Sequence, residues 1–177
     1  MSPAIIFQIH LVLGYVPWLL CFGAYLWPRL KAMEPIAAQR AIATLHSFRF
    51  FGLVFILPGI VGPDLPAGFA SFAAYGDFAT GVLAMAALVA VRRPPLFWLL
   101  VVAYNVLGAA DLIVDYYHGN AVGLAPLAGA LGAAYAIPIL YVPLLMITHV
   151  AAFYLLVRPQ AMTARPATGR AIGAERL

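Results

Sequence analysis

Charge is what this sequence has least of. Only 9% of its 177 residues are Asp, Glu, Lys or Arg, against about 25% in an ordinary soluble domain. A soluble fold needs polar side chains to cover its surface, and this chain has too few. There is one cysteine, Cys21, so no internal disulfide can form and the redox compartment is not legible. The opening Met1–Phe7 has no basic n-region, and the apolar run after it is longer than that of a cleaved signal peptide. Nucleophile elbow, phosphate loop and zinc-protease motifs are all missing. So is any internal repeat of the kind that builds inverted-repeat transporters. A net charge of +4 would suit nucleic acid only if the basic residues formed a patch with interleaved aromatics. They lie instead between and after the apolar segments.

What remains is apolar. Hydrophobic residues make up 65% of the chain and the mean hydropathy is +0.98. The 15 Gly and 14 Pro fit membrane helices, where both are commoner than in soluble ones. A helix needs about 20 residues to cross the hydrocarbon core. That length predicts an all-α, polytopic helical bundle in which residues 1–158 form one domain of five transmembrane helices. The spans are Ala4–Trp27, Ala41–Val61, Ala67–Val91, Leu96–Tyr117 and Tyr135–Val157. Pro28-Arg29, Gly62-Pro63-Asp64-Leu65-Pro66, Arg92-Arg93-Pro94-Pro95 and His118-Gly119-Asn120 punctuate them. Residues 121–134 are too short to span beside a full fifth helix and read as an external helix, interfacial or dipping into the bundle. Residues 159–177 read as a disordered cytoplasmic tail.

Orientation follows from the basic residues. With the N-terminus outside and the C-terminus cytoplasmic, the inner segments hold Arg29, Lys31, Arg40, Arg92, Arg93, Arg158, Arg165, Arg170 and Arg176. The three outer segments hold no Lys or Arg, as the positive-inside rule requires. A multi-pass protein of a cell inner membrane is the corresponding expectation.

The functional signal is the set of ionisable residues at membrane depth. Each costs about 2.5–3.5 kcal/mol on insertion scales and normally faces a cavity or a partner. His10, His46, Arg49, Asp77, Asp111 and His149 lie within spans. Asp115 and His118 stand near the outer end of the fourth. Helical spacing puts Tyr104, Gly108, Asp111, Asp115 and His118 along one face, and His46 with Arg49 on another. Asn105 falls about 120° from Asp111 and serves a neighbouring contact. Ala73, Asp77 and Gly81 form a small-residue ridge that lets a second backbone approach. Sorted by depth, His10, Asp77, Asp111, Asp115 and His118 form an outer acidic layer, and His46, Arg49 and His149 an inner basic one. Plainer readings stand beside these. Asp115 can bond interfacial water, Arg49 can pair with an Asp or snorkel, a single membrane His can be a packing residue, and Cys21 can simply fill space.

Three functions fit the pattern. The first is an intramembrane enzyme working by acid–base chemistry, as an isomerase, cyclase or hydratase, on a small lipophilic substrate. Asp111, Asp77, His149 and His46 are its catalytic candidates. Asn105, Arg49, Asp115 and Tyr104 would bind the substrate. No cofactor is required. The second is a membrane cytochrome with haem b, using His10 with His118 and His46 with His149 as axial pairs. The third is a proton-coupled transporter relaying through Asp77, Asp111 and His149. Asp111, Asp115 and His118 lack the spacing of a strong metal motif, so no metal is assigned. The expected partners are membrane lipid, a small lipophilic ligand and a second copy of the chain, with no nucleic acid. The run Ile9-His10-Leu11-Val12-Leu13-Gly14-Tyr15-Val16-Pro17-Trp18 resembles the first helices of small haem-handling and copper-resistance membrane proteins. No site is carried over from so short a stretch.

Overall fold

In the computed structural model, which describes residues 1–158, the chain runs up and down a helical bundle. The expected tail at 159–177 lies outside the described residues. Four helices are long and apolar enough to cross a membrane: α1 (Pro3–Ala32), α3 (Ala67–Arg92), α4 (Pro94–Ala121) and α5 (Ile137–Val157). Between α1 and α3 the chain is helical in two pieces, α2 (Pro35–Ser47) and a 3₁₀ helix over Phe48–Ile56. The exterior is apolar. Val12, Leu20, Val89, Leu99, Val150 and Val157 are strongly exposed, and only lipid is a good solvent for such a surface. The chain is a multi-pass membrane protein.

These two pieces replace the single helix expected over 41–61. The helix begins earlier, at Pro35, where Glu34 caps it by accepting from the Ala37 amide at 3.2 Å. It then tightens. Thr44 Oγ1 donates to the Arg40 carbonyl at 2.9 Å, and Ser47 Oγ to the Thr44 carbonyl at 2.7 Å. Hydroxyls that bond back to the preceding turn compete with the α-ladder, and the 3₁₀ segment starts at the next residue. Small residues let it lie close on α3. A Cβ on Gly81 would stand 2.8 Å from the Phe50 amide nitrogen, and one on Gly52 would overlap the Asp77 side chain.

Prolines shape the other helices. Pro28 cannot bond the carbonyl four residues back, and α1 passes through a π-turn over Phe22–Leu26 just before it. Pro143 likewise leaves Ile139 unpaired in the ladder, and α5 opens with a π-turn over Ile137–Tyr141. Gly14 of α1 packs directly on the Ile139 carbonyl, and Trp18 Nε1 donates to that of Leu140 at 2.8 Å.

The stretch after α4, expected as an external helix, is turn and 3₁₀ rather than α-helix. It turns at Gly123 (φ +65°) and forms a 3₁₀ segment, Ala128–Tyr135, broken at Gly132 (φ +53°). Only glycine takes that conformation without strain. A side chain at 132 would also strike the Ile60 carbonyl. Ala128, Leu131 and Ala134 are buried with Phe7, Phe55 and Phe69. The segment is therefore a cap. The Gly62 amide donates to the Ala130 carbonyl at 2.7 Å and that of Ala133 to Ile60 at 3.3 Å. The capped end of the bundle holds Asp64. The other, basic end holds Arg29, Lys31, Arg92, Arg93 and Arg158.

Candidate functional site

Arg49 is completely buried in the middle of the bundle. A guanidinium there is tolerable only if its donors are met. Nε donates to Asp77 Oδ1 and Nη2 to Asp111 Oδ2, each at 2.6 Å. Nη1 donates to the Gly108 carbonyl at 3.1 Å and lies 3.2 Å from His149 Nε2. The 3₁₀ segment, α3, α4 and α5 are thus tied at one point. Gly108 makes the space: a Cβ on it would lie 2.8 Å from His149 Nε2 and 2.7 Å from Thr80 Cγ2.

The network fixes the histidine tautomer. A guanidinium can only donate, so His149 Nε2 accepts and Nδ1 carries the proton. Nδ1 then donates to Asn105 Oδ1 at 2.9 Å, and the Asn105 amide donates to the Val101 carbonyl at 2.8 Å. His149 is a neutral imidazole that orients Arg49. His46 stacks on it with ring centroids 4.0 Å apart, and its Nε2 lies 3.1 Å from Thr148 Oγ1. The Tyr104 ring lies 5.5 Å from that of His46.

This arrangement corrects the two-layer expectation. The acidic and basic groups are not separate pockets, because Arg49 bonds both Asp77 and Asp111 directly. Of the eight residues singled out for chemistry and binding, Asp77, Asp111, Arg49, His149, Asn105, His46 and Tyr104 gather at this depth. Asp115 stands one turn beyond Asp111. Thr148, Thr80 and Gly76 were not legible as members, since nothing in their spacing separates them from packing residues.

A cavity of about 90 Å³ lies between this cluster and the cap. Asp77 and Asp115 line it, with Gln8, Tyr116 and Asn120 among mostly apolar walls that include Leu124 of the cap. Asp115 Oδ1 is buried without a hydrogen-bond partner, which is costly for a carboxylate unless the cavity supplies one. Asp111, His149, His46 and Tyr104 do not reach this cavity. Asp111 instead faces a groove on the other side of Arg49.

The two expected haem pairs do not fit a haem. His46 and His149 are in ring-to-ring contact, which leaves no room for a porphyrin between them. His10 lies on the exterior, its Nδ1 2.9 Å from the Tyr135 hydroxyl. His118 packs edge-on against Phe72. Among the described residues no three His, Cys, Asp or Glu side chains are grouped to hold a metal.

Residues 6–157 match the model of a family described as a domain of unknown function (DUF8737). No curated protein and no solved structure matches the chain.

Proposed function

The chain belongs to the DUF8737 family, and from the chemistry of its buried site we propose that it is an intramembrane enzyme doing acid–base chemistry on a small lipophilic substrate. The observation that carries the reading is Asp115. Asp115 lines a largely apolar cavity together with Asp77, itself held by Arg49, and its Oδ1 is buried without a hydrogen-bond partner. A general acid or base must reach the proton it moves and be shielded from bulk water. The cavity places Asp115 among mostly apolar walls, and its volume admits the polar end of a molecule rather than a whole lipid. Asp115 takes or gives the proton. Asp77 and Arg49 meet charge that develops beside it, and His149 with Asn105 holds Arg49 in place. Isomerisation, cyclisation and hydration all need only these groups. The same reading orients the basic end toward the cytoplasm of a cell inner membrane, supported by the absence of Lys and Arg at the capped end.

Proteoliposomes carrying total lipid extract in D₂O test it. The expected result is a lipophile that gains deuterium with the wild-type chain and not with Asp115→Asn, read by mass spectrometry. A second reading, a proton relay, is favoured by one observation: the contact between His149 and His46 continues the titratable groups toward the basic end. Proton flux into pyranine-loaded vesicles that depends on Asp115, with no lipophile gaining deuterium, would replace the enzyme with the relay.

A further inference from the structure

The Arg49 cluster has a second face, turned to the membrane. Between α3 and α4 a groove of about 660 Å³ opens on the exterior of the bundle, with Asp111 at its floor. Gly76 makes room for the Asp111 carboxyl at that floor, because a Cβ there would overlap it. Asp111 is 5% exposed. Its Oδ2 is taken by Arg49, and no hydrogen bond among the described residues uses Oδ1. The groove walls include Phe72, Leu107 and Val114, together with Ser71 and Tyr75. The last two lie one turn apart on α3.

A carboxylate oxygen turned toward hydrocarbon is costly unless a donor meets it. The donor must come with an apolar body, because the walls are apolar. It must also be neutral: Asp111 stands about 15 Å along α4 from Ala121, at 1.5 Å per residue, which is too deep for a charged headgroup to follow cheaply. A groove of this size is in the range of ligand sites, about 300–1,000 Å³. We propose that the groove binds a lipid-soluble alcohol or phenol, whose hydroxyl donates to Asp111 Oδ1 while its apolar body lies along Phe72 and Leu107. Binding here does not depend on the reaction assigned to the cavity, and it is measured without turnover.

A long-chain alkanol carrying a diazirine on its chain, and the matching ketone, are each added to the full chain in phosphatidylcholine vesicles and photolysed. Labelled peptides are then mapped by mass spectrometry. The alkanol is expected to label residues 71–76 and 107–114, with displacement by unlabelled alkanol and not by the alkane. The ketone, which cannot donate, is expected to label them about tenfold less, the worth of one hydrogen bond to a charged acceptor. Asp111→Asn sharpens the test. Arg49 can only donate, so the amide oxygen must take the Oδ2 position and the NH₂ the Oδ1 position. The floor then donates, and the ketone should label as well as the alkanol. Leu107→Trp, which fills the groove from the lipid side without touching Arg49, should abolish labelling even where Asp111→Asn fails to fold. Labelling spread evenly over the lipid-facing helices, displacement by alkane, or full labelling in Leu107→Trp overturns the proposal.

Discussion

Two regions one helical turn apart treat their buried charges in opposite ways. At Arg49 each guanidinium nitrogen has a partner, and those partners come from three different helices. At Asp115 the same helix, α4, leaves a carboxylate oxygen with none, on a residue lining a cavity bordered by a cap rather than by a long helix. Saturation marks the first region as what holds the bundle together. An unmet acceptor on a residue that lines a cavity is what places the proposed chemistry at the second. A buried charge is tolerated for structure when it is paired and retained for chemistry when it is not.

The contrast breaks most sharply at Arg49. Arg49→Met leaves Asp77 and Asp111 buried without their cation. The expected loss is about 3–5 kcal/mol, seen as a large fall in thermal stability in detergent or as failure to accumulate in the membrane. A variant as stable as the wild type would mean that the cluster is not structural. The cap supplies the next largest effect, with the opposite sign. A Cβ built on Gly62 lies 3.6 Å from the Ala130 Cβ, within the separation of about 3.5–4.5 Å that a disulfide needs. Gly62→Cys with Ala130→Cys, in a Cys21→Ala background, should oxidise readily and raise stability by about 2–4 kcal/mol. It should also slow exchange into the cavity. If access were through the bundle wall instead, the oxidised and reduced forms would exchange alike.

Gly108→Ala should cost about 1–3 kcal/mol, since the new methyl displaces His149 or Thr80 from beside Arg49. Gly23→Ala, where a Cβ meets nothing within 4 Å, is the control and should be near neutral. The smallest effect on stability is expected at Asp115. Asp115→Asn removes a charge that makes no ion pair among the described residues, and stability should change by less than about 1 kcal/mol while activity is lost. Collapse of the fold in that variant would erase the distinction between the two regions.

Much of this was legible before any coordinates. Apolar run lengths gave the helical membrane class, and α3 and α5 lie within a few residues of their expected bounds. The spacing of Tyr104, Gly108, Asp111 and Asp115 put the chemistry on one face of α4. The helix expected over 41–61 was misjudged because hydropathy does not register Thr44 and Ser47 bonding back to the preceding turn, which is what converts α-helix to 3₁₀. The cap's place stayed open between interface and bundle because small apolar residues read alike in an interface and in a core. Only Gly132 and its neighbours at Ile60–Gly62 distinguish the two. Asn105, about 120° from Asp111 on α4 and named with the binding candidates, reaches the cluster through His149, a residue 44 positions away that no spacing along α4 could supply.

By itself the sequence determined that this chain lives in a membrane, since a polypeptide with so few charges has no other solvent. It also determined that its Asp, Arg and His residues must turn inward, because hydrocarbon solvates none of them. Which of them pair was decided by the tertiary structure alone. The partners of Arg49 come from helices far apart in sequence, and their meeting depends on close backbone approach at Gly52, Gly81 and Gly108. Depth along a helix can be counted from residue numbers. The direction a side chain takes across a bundle depends on how neighbouring helices rotate and pack, and that is settled only when all of them are in place.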